Sequence, residues 1–152
     1  MTRAYARELA VHLLYGRSFT EEEPQDIVAA RLDKTYYAGL SEECEVYSER
    51  PSRAQREYLD KVVSGVSNRV DELNEYIQKY SSGWSVERIS VLVRTVIQLA
   101  MFEILYIEDI PTGVAISEAV RIIKLYDGED TAAFANGILG SFARDQGVEV
   151  AQ

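Results

Sequence analysis

Cysteine and histidine are nearly absent: one Cys44 and one His12 in 152 residues. Such a pair makes neither a disulfide nor a Cys/His metal cluster, so the core must rest on apolar packing in a reducing setting. No run of about 18 apolar residues free of charge occurs, which argues against a membrane-spanning helix, and no apolar signal core opens the chain. A cytoplasmic protein is expected. Glycine-rich phosphate loops, metal-ligand spacings and nucleophile elbows are missing too, so the expectation is a non-enzyme with no cofactor and no metal. Period-two alternation between turn pairs is also lacking, which excludes an obvious sheet. Positive charge is scarce. Sixteen Lys and Arg against twenty-five Asp and Glu give a net charge of −9, a poor match to a protein gripping phosphates along a wide face. The one basic end is residues 1–17, with three arginines and one glutamate.

What the chain does have is helical periodicity. From Trp84 to Arg144, three helix-length apolar patterns follow one another with little between them. In the first, Ile89, Leu92, Val93, Val96, Ala100, Ile104 and Ile107 share one face, with Glu87, Ser90, Arg94 and Gln98 opposite. Ser85 is the expected cap. Pro111 closes that helix and opens the next, because a first-turn proline gives up only an N–H that has no partner anyway. Ile116, Ala119, Val120 and Ile123 form the second stripe, and Asp127-Gly128 ends it. Glu129 and Asp130 begin the third helix at the positive end of its dipole, and Ala135, Ile138, Leu139 and Phe142 supply its core face.

Before this unit, Ala6, Leu9, Ala10, Leu13 and Leu14 make the apolar arc of a first helix, with Arg3 and Arg7 at its edge. A second helix starts at Pro24 and runs to about Ala38 through Ile27, Val28, Leu32 and Tyr36, followed by an acidic loop over 41–51. The longest stripe, Leu59, Val63, Val66, Val70, Leu73, Ile77 and Tyr80, predicts one helix of about 28 residues, about 42 Å at 1.5 Å per residue. Its first half should pack on the N-terminal helices and its second on the C-terminal unit. The predicted fold is all-α: two three-helix bundles, 1–80 and 81–152, sharing a long third helix in one compact body. Glu103, inside the buried stripe, is read as a carboxylate reaching free N–H groups near Thr112 to Val114 rather than as an acid/base group.

Ala6-Arg7-Glu8, Leu14-Tyr15, Arg94, Phe102-Glu103, Ile110-Pro111, Ile116-Ser117-Glu118-Ala119-Val120, Lys124, Gly128-Glu129-Asp130, Phe134 and Asn136-Gly137, in this order and spacing, resemble the NusB family of transcription antitermination factors. The likeness covers roughly residues 3–144. It implies the same all-helical fold and a function that periodicity does not reveal. That function is binding of boxA-type single-stranded ribosomal RNA leader sequence together with NusE, a small-subunit ribosomal protein, within the RNA polymerase antitermination complex.

By position, the resemblance implies RNA contact at Arg3, Arg7, Asp130 and Phe134, and NusE contact at Tyr15 and Glu87. Phe134 lies about 90° from the centre of its helix's core face, an angle open to two readings: an exposed ring that stacks on an unpaired base, as the resemblance implies, or a phenylalanine at the rim of the core. Asp130 is open to two readings, a helix cap or an acceptor for a base N–H. Asn136-Gly137 is read as structural, the glycine permitting close helix approach. The family's N-terminal arginine cluster is thinner here, which predicts weak RNA affinity without the partner. A rival expectation is a NusB-like protein-interaction module that has lost RNA binding. NusB-like domains also front some ribosomal RNA methyltransferases; these 152 residues show no cofactor-binding domain, so that enzyme is not expected.

Overall fold

The computed structural model describes residues 3–19, 23–32 and 51–147. Among them are seven α-helices and no strand. They are α1 (Arg3–Arg17), α2 (Pro24–Arg31), α3 (Arg53–Ser67), α4 (Val70–Tyr80), α5 (Val91–Tyr106), α6 (Thr112–Asp127) and α7 (Glu129–Asp145), with a 3-10 turn at Val86–Arg88 before α5. No helix among the described residues is long and apolar enough to cross a membrane. The expected course of the second helix from residue 33 to Ala38, most of the acidic loop and Cys44 lie outside the described residues.

The chain divides into two compact units, Met1–Asn68 and Arg69–Gln152. In the first, α1 and α2 pack on each other and on α3. Ala6, Leu9, Ala10, Leu13 and Leu14 of α1, Ile27 and Val28 of α2, Leu32 beyond it, and Leu59, Val63 and Val66 of α3 are all buried. Helix α3 starts with a reciprocal cap: Ser52 Oγ accepts from the Gln55 N–H at 3.3 Å, while Gln55 Oε1 accepts from the Ser52 N–H at 2.8 Å. In the second unit, α5 packs against α4, α6 and α7, and α6 lies along α7. Ala135, Ile138, Leu139 and Phe142 are buried, with the Phe142 ring edge-on to Tyr76 at 4.9 Å. Pro111 precedes α6, and Gly128, at φ 94°, is the single residue between α6 and α7. A φ in that region disfavours any residue with a Cβ.

The structure differs from the sequence pattern in three places. The long stripe is carried by two helices, because the chain leaves helical geometry at Asn68–Arg69, where Arg69 takes φ −126°, ψ 22°. The Arg69 guanidinium lies over the Tyr106 ring at 4.6 Å and the Phe102 ring at 5.8 Å. Such cation–π contacts, with an asparagine that competes for backbone hydrogen bonds, favour a break there over one at the buried Gly65. Each half of the stripe thus belongs to its own unit. Second, the cap of α5 is Ser90, whose Oγ accepts from the Val93 N–H at 3.3 Å; Ser85 instead precedes the 3-10 turn and makes no side-chain cap. Third, Gln98 is buried, not solvated, and its amide donates to Asn74 Oδ1 of α4 at 2.7 Å. A buried amide needs such a partner, and α4 supplies it through Asn74.

Candidate nucleic-acid interface

Helix α7 begins one residue after α6 ends, which brings its first turns beside the segment leading into α5. There Phe134, half-buried, faces Trp84 with ring centroids 6.4 Å apart at 57°. The two rings rim a groove of about 390 Å³ floored by Ile89 and Val93 and edged by Asp127, Asp130 and Arg88. Trp84 is 53% exposed, unusual for the only tryptophan of the chain. Asp130 and Arg88 are exposed, and the side chain of neither makes a hydrogen bond or ion pair among the described residues. The capping role for Asp130 is therefore not taken up, since Gly128 holds the cap position without a side-chain bond. What remains, among the described residues, is an apolar wedge edged by two free carboxylates, Asp127 and Asp130, and one free cation, Arg88; the rings and acceptors suit an unpaired base, and the cation suits its phosphate.

The α1 residues are placed differently. Arg3 is exposed, with its guanidinium 4.7 Å above the Tyr58 ring of α3. A guanidinium stacked on a ring still presents its N–H edges to solvent, ready for an anion. Arg7 is only 5% exposed and engaged within the structure, so of the two arginines only Arg3 is open. Tyr15 is 41% exposed and meets the Phe19 ring edge-on at 5.1 Å; Phe19 itself is 66% exposed. Glu87 is exposed on the 3-10 turn, not on the polar stripe of a helix.

Three of these surface residues, Trp84, Arg88 and Phe19, carry no mark in the periodic patterns of the sequence, because all lie in or beside turns. The signal that points to the groove is composition: the sole tryptophan follows a Ser-Ser-Gly turn, where a large ring has little local reason to be. Asn136-Gly137 is corrected as well. Both residues are exposed, and a Cβ added at Gly137 would meet nothing within 4 Å, so this glycine serves no close approach of helices among the described residues.

The family model described as the NusB family matches residues 4–144. Transcription antitermination protein NusB of Symbiobacterium thermophilum is 33% identical over 144 residues, covering 95% of this chain and 90% of that protein. The solved structure of T. maritima NusB is similar with a TM-score of 0.78 at 29% identity, covering 95% of this chain and 92% of that one. The fold is also that of NusB in a solved complex of antitermination factors NusB and NusE with double-stranded RNA, at a TM-score of 0.72 and 22% identity, covering 94% and 96% of the two chains.

Proposed function

The chain belongs to the NusB family, and from that premise we propose that it is a cytoplasmic transcription antitermination factor. It binds boxA-type single-stranded ribosomal RNA leader sequence together with NusE and joins the RNA polymerase antitermination complex, acting by binding and not by catalysis. The observation that carries the RNA reading is the half-buried Phe134, which opens onto an aromatic groove beside the unpartnered Asp130, while Ala135, Ile138, Leu139 and Phe142 of the same helix are buried. Phe134 stacks on a base, Asp130 accepts from a base N–H, and Arg3 meets phosphate. Arg7 supports the first unit from within. In the first unit the exposed Tyr15–Phe19 pair contacts NusE, and in the second Glu87 does.

A protein-binding module without RNA affinity is the rival, favoured by the net charge of −9 and by the burial of Arg7. A mobility-shift assay with boxA RNA, alone and with NusE, decides between them. RNA binding that NusE strengthens is expected; no shift in either condition leaves the rival standing. Tyr15→Asp and Glu87→Lys should each weaken NusE binding with helical content intact, and retained affinity in both removes these residues from the NusE contact.

A further inference from the structure

One side of the groove is formed by Phe134 and Asp130; the other, Trp84 and Arg88, has no part in the reading above. We propose that Trp84 and Phe134 form a two-ring clamp for one unpaired RNA base, with Arg88 holding the phosphate of the same nucleotide. This rests on the reading that the protein binds single-stranded RNA.

The backbone under Trp84 is held at several points. Ser82 and Gly83 both take positive φ, 51° and 87°, a conformation that an L-residue such as serine rarely adopts. The turn is held by side chains: Ser81 Oγ donates to the Trp84 carbonyl at 2.6 Å and Gln78 Nε2 donates to it at 3.0 Å, while Gln78 Oε1 accepts from the Val86 N–H at 3.1 Å. Ser81 is fully buried. These bonds pin a strained turn and yet leave its indole in solvent, where packing gains little from it. Backbone strain held in place by its surroundings is a feature of ligand clamps.

The geometry fits a base. Two aromatic faces sandwiching a flat ring need about 7 Å between them, two van der Waals contacts of about 3.5 Å. The rings stand 6.4 Å apart at 57°, a tilted pair in contact with each other, so base entry requires the exposed indole to swing parallel to the Phe134 ring and move outward by a few tenths of an ångström. Ile89 and Val93 give an apolar floor, and a groove of about 390 Å³ has room for one nucleotide and not for a helix. Arg88 ends the 3-10 turn Val86–Arg88 that follows Trp84 and Ser85, with its guanidinium uncommitted among the described residues. Its planar fork matches a phosphate, which a protein ligand offering only a side-chain ring would lack.

Because Trp84 is the only tryptophan, its emission reports on this site alone. The full chain is titrated with boxA-type single-stranded RNA, following Trp84 emission, and in parallel with end-labelled RNA, following anisotropy; both are repeated with NusE. Quenching over the same concentration range as the anisotropy rise is expected. Trp84→Ala should weaken binding about tenfold, with Trp84→Phe recovering most of it. Arg88→Gln should lower the salt slope by about 0.7. RNA binding with unchanged emission, and with Trp84→Ala equal to wild type, overturns the clamp and leaves the RNA reading in place. Absence of any RNA binding, with or without NusE, overturns the reading and the clamp together. Circular dichroism checks the folding of each variant, and quenching in the unaltered chain decides the matter even if one of them unfolds.

Discussion

At the front of α1, Arg7 is buried and engaged, and Arg3 lies against the Tyr58 ring; at the front of α7, Asp130 and the nearby Arg88 stand in solvent with no partner among the described residues. Both fronts open amphipathic helices, and both carry residues that the family resemblance marks for RNA. The difference teaches that position on a helix does not tell whether a charge is used internally or left for a ligand. Burial and partners decide that.

The largest effect expected from this contrast is on stability at Arg7. Arg7→Ala removes a buried, engaged guanidinium and its packed stem and should cost about 3 kcal/mol in denaturant unfolding, whereas Arg3→Ala should change stability by less than about 0.5 kcal/mol. Equal stabilities of the two variants would break the comparison. Next comes Phe134→Ala, expected to lose about 1 to 3 kcal/mol of RNA binding while folding stability moves by under about 1 kcal/mol. A core phenylalanine would behave in the opposite way, losing about 3 to 5 kcal/mol of stability; Phe142→Ala is the internal control for that outcome.

Gly137→Ala should stabilise the chain by about 0.5 to 1 kcal/mol, because a helical glycine is disfavoured and the added Cβ meets nothing. Thermal unfolding at matched concentration measures this; destabilisation would show that the site is crowded. The smallest effect is at His12, on α1. Burial pushes its imidazole below the usual 6.5, against the opposing pull of Glu8. The unfolded chain therefore takes up a proton first as pH falls, so this contribution is fully present above about 6.5 and is lost as pH drops from there through the folded value. Comparing unfolding at pH about 7.5 and about 5.5 for wild type and His12→Gln should show a shallower acid loss in the variant.

Much of the fold was legible because apolar spacing, proline and glycine are local signals. Pro111 and Gly128 marked the limits of α6, and Ala135, Ile138, Leu139 and Phe142 declared the core face of α7. The break at Asn68–Arg69 was not legible, since Val66, Val70 and Leu73 keep the helical period across it and the rings that hold Arg69 lie far along the chain. Gln98 looked like surface for the same reason: its partner Asn74 belongs to another helix. Of the candidate site, Phe134 was marked by the family resemblance, its angle on the helix alone fitting an exposed ring and a rim-core ring equally. Trp84 was not legible, because a turn has no period, and its exposure depends on the side chains of Gln78 and Ser81.

The one-residue joint at Gly128 sets a limit on how this chain can vary. A connection with no slack cannot absorb an insertion. One extra residue in the first turn of α7 turns everything before it by about 100° relative to everything after it. Either Ile138, Leu139 and Phe142 keep the core and Asp130 swings away from the groove, or the groove is kept and the core is lost. Length changes at this corner are therefore expected to be far less tolerated than substitutions, which makes the spacing from Gly128 to Phe134 a measured distance.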